Sequence, residues 1–121
     1  MITVPVTAPV PPSVNNLYVR TTHRRGLARS KAYNDFRAAV RKAMQSVDRI
    51  EPSKRPWSLR IRVYGLERRR DLDNVVKPTI DAIVASGRVP DDRYLDALSV
   101  RRMSASPQTT KRYIELYIDA I

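Results

Sequence analysis

Residues 67–96 read ERRRDLDNVVKPTIDAIVASGRVPDDRYLD, and the rest of the chain is arranged around this stretch. From Asn74 to Ser86, Val76, Ile80, Ile83 and Val84 recur at three- and four-residue spacing, which predicts an amphipathic helix; Gly87 stands where a left-handed helix cap falls. Asp73 is placed to serve as its N-cap. Pro78 removes a backbone bond if it lies beyond the first turn, so the helix either bends there or begins later than Asp73 suggests. Six aspartates, Asp71, Asp73, Asp81, Asp91, Asp92 and Asp96, are half of the twelve carboxylates in a chain whose formal net charge is +11. A basic chain that gathers its acids in one place points to a cation held there.

Strands are expected on both sides. Upstream, Trp57 to Tyr64 alternates, with Trp57, Leu59, Ile61 and Val63 inward and Ser58, Arg60, Arg62 and Tyr64 outward. Trp57 is in phase with the apolar set and reads as core. Downstream, Leu98 and Val100 with Arg101 and Arg102 form a third strand. Tyr113 to Asp119 forms the last, with Ile114, Leu116 and Ile118 inward and Tyr113, Glu115 and Tyr117 outward. The outward tyrosines are open between an interface and plain surface.

At the other end, residues 2–7 place Ile2, Val4 and Val6 on one face of a strand that Pro5 confines to a sheet edge. Pro9, Pro11 and Pro12 lead into turn chemistry at Ser13, Asn15 and Asn16. Residues 19–31 are rich in arginine and poor in apolar side chains, which fits either a solvated loop or an arm that orders on phosphate. His23 within them has no neighbouring carboxylate to orient it and reads as surface or phosphate contact. Ser30 is the expected N-cap of a helix reaching about Val47, with Ala32, Phe36, Ala39, Val40, Ala43 and Val47 on its apolar stripe. The sum is an α+β fold: a two-layer sandwich with two main helices packed on a roughly four-stranded mixed sheet, one domain over residues 1–121.

Composition narrows the chemistry. With no cysteine and only one histidine in 121 residues, thiolate sites, disulfides and His-rich metal centres are excluded, which leaves oxygen ligands and hard ions such as magnesium or manganese. A sequence pI near 10.7 and 23 lysines plus arginines point to a polyanionic partner. No apolar run is long enough to span a bilayer and no signal peptide is evident, so a soluble, cytoplasmic protein without membrane partners is expected.

Asp71 and Asp73, two residues apart, converge if the local backbone is extended. Within a helix, Asp73, Lys77 and Asp81 line one face, and the turn at Gly87 and Pro90 returns Asp91 or Asp92 as a third ligand. The plainer reading of the same residues is that Asp71 and Asp73 cap a helix, Asp81 pairs with Lys77, and Asp91 and Asp92 decorate a turn.

The run RRRDLDNVVK at Arg68 to Lys77, Asp81-Ala82 in the helix, the Asp91-Asp92 pair after Gly87, and PPSVNNLY near the N-terminus together resemble the RusA family of Holliday junction resolvases, small endodeoxyribonucleases. The resemblance covers nearly the whole chain. It implies a homodimeric α+β nuclease that binds four-way DNA junctions and makes paired, symmetric nicks with magnesium or manganese. It also implies that Asp71, Asp73 and Asp92 are the essential, metal-binding carboxylates, that Lys77 is the functional lysine, and that Asn74 is a neighbouring polar site residue. The extra residue Val14 and the proline at Pro78 depart from the pattern.

In that reading, Lys77 contacts the scissile phosphate or orients the nucleophile, and Arg24, Arg25, Arg68, Arg69 and Arg70 grip the DNA backbone. Asp91 stays open between turn and ligand, and Asp81 and Asp96 are structural acids. The alternative is a non-catalytic basic DNA- or RNA-binding module, whose binding would not depend on a divalent ion. A phosphotransferase is disfavoured because the sequence contains no glycine-rich phosphate loop.

Overall fold

The structure is a computed structural model and describes residues 5–21, 27–104 and 111–121. Its main sheet has the order β1-β6-β4-β5, built from β1 (Val6–Ala8), β4 (Trp57–Tyr64), β5 (Leu95–Arg102) and β6 (Tyr113–Ala120). The β1–β6 and β6–β4 pairs are antiparallel and β4–β5 is parallel, so the sheet is mixed. Two helices, α1 (Lys31–Met44) and α2 (Val76–Ala85), pack against each other over its inner face, where the core lies. This is the expected α+β sandwich.

Alternation fixes β4. Trp57, Leu59, Ile61 and Val63 are buried among Ile114, Leu116 and Ile118 of the neighbouring strand, while Arg60 is exposed. Full burial of one such aliphatic side chain stabilises by about 1.5–3 kcal/mol, so this ladder is the spine of the fold. On the outer face, Tyr64 and Tyr113 stack with ring centroids 4.6 Å apart, and Arg60 and Arg62 lie over Tyr117. The outward tyrosines are therefore partnered within the chain. Val6 is buried, and β1 is an edge strand, as Pro5 led one to expect; among the described residues it runs Val6–Ala8, one residue past the expected end, and Ile2 and Val4 lie outside the described residues.

Three expectations need correction. The described part of residues 19–31 is not all loop or arm: β2 (Tyr18–Arg20) and β3 (Leu27–Arg29) pair antiparallel, anchored where the Tyr18 ring meets Tyr33 edge-on at 5.8 Å. His23, Arg24 and Arg25 lie outside the described residues.

In α1, Ser30 caps as expected, its Oγ accepting from the Tyr33 N–H at 3.1 Å. The buried stripe, however, is Tyr33, Phe36, Val40 and Met44, with Ala32 exposed, and the helix ends at Met44 instead of about Val47. Large side chains on one face gain more by burial than the alanines beside them.

The second helix is split. Leu72–Val75 form a 3-10 turn with Asp71 at its N-cap position, and α2 starts only at Val76. Pro78 is thus the third residue of the α-helix, where a backbone N–H would have no intrahelical partner, so the proline costs no bond and no bend is needed. The buried residues of α2 are Pro78, Thr79, Ala82 and Ile83, preceded by Val75; Val76, Ile80 and Val84 of the expected stripe are only half-buried. Thr79 tolerates complete burial because its Oγ1 donates to the Val75 carbonyl at 2.7 Å.

Candidate active site

The acidic stretch leaves the sheet at Gly65, whose φ of +73° is left-handed and whose Cβ, if present, would meet the Lys111 carbonyl oxygen at 2.8 Å. The turn that follows is held from inside the sheet. Arg102, on β5, donates from Nη1 to the carbonyls of Leu66 (3.0 Å) and Glu67 (2.9 Å) and from Nη2 to that of Arg70 (2.7 Å). Arg70 in turn donates to the Pro11 carbonyl at 2.9 Å, tying the proline-rich N-terminal segment to the same turn. Burial pushes the Arg70 guanidinium below its ordinary range, the desolvation expected of a charge used inside the structure. Neither arginine role was visible in sequence, because the bonds join residues 32 to 59 positions apart.

Of the three consecutive arginines, Arg69 pairs with Glu67, which also takes Arg112 at 2.8 Å. The Arg69 hydrogen bond, then the charges of both arginines, hold the Glu67 carboxyl below its usual range. Arg68 is exposed and forms no ion pair with a described residue.

Asp71 and Asp73 emerge from this turn. Asp71 is extended (φ −73°, ψ 134°) and its carboxylate makes no capping bond; its carbonyl accepts from the Asn74 N–H at 3.2 Å. Asp73 lies in the 3-10 turn rather than at a helix N-cap. Both are exposed, and neither forms an ion pair with a described residue. Asn74 is exposed beside them.

In the first turn of α2, Lys77 reaches Asp81 with Nζ at 3.2 and 3.3 Å from its two oxygens. That hydrogen bond and the Asp81 charge raise the lysine above its usual range, with Asp92 adding a smaller attraction, so the amine is charged at neutral pH. Asp91 makes two bonds within the fold. Its Oδ1 accepts from the Arg93 N–H at 3.3 Å, capping the turn Asp92–Tyr94, and its carbonyl accepts from Trp57 Nε1 at 3.3 Å. A hydrogen bond between the Asp91 and Asp92 carboxyls holds Asp91 below the usual carboxylate range and raises Asp92. Asp96 is exposed on β5.

A model of the family described as Endodeoxyribonuclease RusA matches residues 9–116. The chain belongs to this family. A search of curated proteins finds no match. RusA-family proteins are endodeoxyribonucleases associated with resolving Holliday junctions, so the substrate class is branched DNA. Among the described residues no helix is long and apolar enough to cross a membrane.

For a metal, the donor chemistry of the RusA site is suitable and the assembly is partial. Every candidate ligand is a carboxylate oxygen, as magnesium or manganese prefers, and Asp71 and Asp73 are exposed and form no ion pair with a described residue. Among the described residues, however, no group of three or more acids, histidines or cysteines is gathered closely enough to hold an ion. Asp71, Asp73 and Asp92 thus do not form one cage in the single chain. Magnesium binds through one or two carboxylates, completing its shell with water and substrate phosphate, so a pair of acids is a sufficient protein contribution.

Proposed function

We propose that this RusA-family protein is a single-domain, magnesium-dependent endonuclease, with manganese able to substitute. In this reading it acts as a homodimer that resolves four-way junctions by paired, symmetric nicks. The observation that carries the reading is the uncommitted pair Asp71 and Asp73 on an exposed turn leading directly into the helix that presents Lys77. Asp71 and Asp73 would hold the ion, with Asp92, which lies in the electrostatic field of Lys77, as the third acid. When bound, the ion would make a water nucleophilic at neutral pH and neutralise charge on the phosphate.

The chain's own residues account for the remaining steps. Lys77, charged and oriented by Asp81, either contacts the scissile phosphate or orients the nucleophile. Asn74, exposed next to Asp73, is within the same turn to donate to a phosphate oxygen. Arg68 grips the backbone directly, and Arg69 and Arg70 add positive charge beside it; Arg24 and Arg25, outside the described residues, are further contacts of the same kind. A four-way junction offers two equivalent strands, and a two-fold dimer offers two equivalent sites.

The test is incubation of the protein with a synthetic four-way junction and with a matched linear duplex, with and without magnesium. Paired nicks on the junction alone, dependent on magnesium and lost in Asp73→Asn with junction affinity intact or improved, are expected. Undiminished cutting by Asp73→Asn, or inactivity on both substrates, would sink the reading.

A further inference from the structure

Outside the acidic turn, four cations that form no ion pair with a described residue gather beside the two helices. Arg29 at the end of β3 and Arg37, Arg41 and Lys42 on α1 line an open cleft of about 410 Å³ whose far wall is Ala82 and Ala85 of α2. The remaining lining residues are neutral, and none of the four cations forms an ion pair with a described residue. Two of them are held in place by neutral groups instead. Arg29 Nε donates to Asn34 Oδ1 at 3.1 Å, and Arg37 lies 5.6 Å from the Tyr33 ring centre. Arg37 and Arg41 are like charges one helical turn apart, an arrangement that costs an isolated helix a few tenths of a kcal/mol. A phosphate between them removes that repulsion.

The cleft and the candidate active site share α2, which carries Lys77 in its first turn and Ala82 and Ala85 of the cleft wall further along. Lys77, Asp81 and Ala85 recur every four residues on the same face of α2, so Ala85 lies about 12 Å along the axis from Lys77 at 1.5 Å per residue. The two alanines make that wall low. Arg37 and Arg41 are separated by about 6 Å along α1, so a phosphate backbone laid against that face meets both cations.

We propose that the α1–α2 cleft is a phosphate track for a duplex arm of the junction, continuing the DNA path beyond the nicking site. The inference rests on the nuclease reading above and deepens it. It shifts much of the backbone grip away from the triple arginine, where Arg69 is paired with Glu67 and Arg70 with a carbonyl, to cations that form no ion pair with a described residue.

The experiment measures junction binding across a salt series for the wild-type protein, for Arg41→Ala/Lys42→Ala, and for a control, Lys54→Ala/Arg55→Ala, that removes equal charge from the loop before β4. With two phosphates no longer neutralised, the cleft variant's log–log salt slope should be shallower by about 1.8, and wild-type advantage should shrink about 12-fold between 50 and 200 mM salt. The control should change the slope by less than half as much. On a junction whose arms are trimmed to a few base pairs, cleft variant and wild type should converge, while nicking at saturating protein stays at the wild-type rate. Circular dichroism and thermal melting establish that each variant is folded.

An unchanged slope in the folded cleft variant, an equal loss in the control, or the same deficit on trimmed junctions would each overturn the proposal. If Arg41→Ala/Lys42→Ala fails to fold, Arg41→Gln/Lys42→Gln keeps the helix-compatible stems and is read the same way. Wild-type protein that neither binds nor nicks the junction refutes the nuclease reading itself, so the two failures are distinguishable.

Discussion

Replacing Arg102 with alanine should loosen the turn that launches Asp71. Its guanidinium serves three backbone carbonyls, those of Leu66, Glu67 and Arg70, at 3.0, 2.9 and 2.7 Å. Charge-assisted bonds of this kind contribute about 1.5–3 kcal/mol each when buried. The whole set is worth less here, because Arg102, Glu67 and Arg70 are only half-buried and water can replace part of what is removed. We expect about 3 kcal/mol of destabilisation, and for a domain of this size a fall in Tm of about 12 °C. The damage should be uneven: Asp71 follows Arg70 directly, so the nicking rate at saturating protein should fall by at least 10-fold while junction affinity changes little. Arg102→Lys should recover only part of the stability, since a single ammonium cannot present the planar fork that spans three carbonyls. Urea denaturation gives the first quantity and single-turnover nicking the second. An Arg102→Ala protein that melts within about 2 °C of wild type and nicks at its rate would show that Arg102 does not position the turn.

Gly65→Ala should destabilise the fold by about 1–3 kcal/mol in chemical denaturation, because φ is +73° and the new Cβ would press on the Lys111 carbonyl at 2.8 Å. The same change at Gly87, also left-handed at φ +77° but with open space around it, should cost less. Lys77→Ala should abolish nicking with the protein folded, whereas Asp81→Asn, which keeps shape and hydrogen-bonding capacity at the lysine's partner, should lose less than 10-fold. Equal losses in the two, read by single-turnover nicking at saturating protein, would place Asp81 among the reacting groups rather than behind Lys77.

How legible the fold was in the sequence depended on whether a segment buries one face. β4 was readable to the residue because its alternation has one cause, a sheet face under helices. The β2–β3 hairpin was not, since its six paired residues are exposed or half-buried and leave no alternating signature. Counting apolar letters placed Ala32 on the inner stripe of α1 and missed Tyr33 and Met44, which are 1% and 0% exposed, because small side chains carry little information about facing. The spacing of Asp71, Asp73 and Lys77 was plain in sequence. Their supports were not, as Arg102 and Arg70 act on backbone carbonyls brought near only by the sheet.

What the structure adds to the acidic stretch is a distinction among its acids. Lysine and arginine number 23 against twelve carboxylates, and the acids of this stretch divide between those that hold a cation and those that do not. Glu67 has Arg69 and Arg112, Asp81 has Lys77, and Asp91 has Arg93 with a capping bond. Asp71 and Asp73 have none of these among the described residues, although three arginines immediately precede them. Those arginines are directed elsewhere: Arg69 to Glu67, Arg70 to the Pro11 carbonyl, and Arg68 to solvent. Arg102, which braces the same turn from the sheet, is likewise held on carbonyls. Local negative charge is thereby preserved inside a cationic protein, which is what a divalent ion needs to bind where polyanionic DNA is also drawn. Placing an arginine within reach of Asp71, as Leu72→Arg would, should weaken magnesium dependence and nicking together while strengthening DNA binding. A variant that bound DNA more tightly and still nicked at the wild-type rate would show that this separation of charges is incidental to the chemistry.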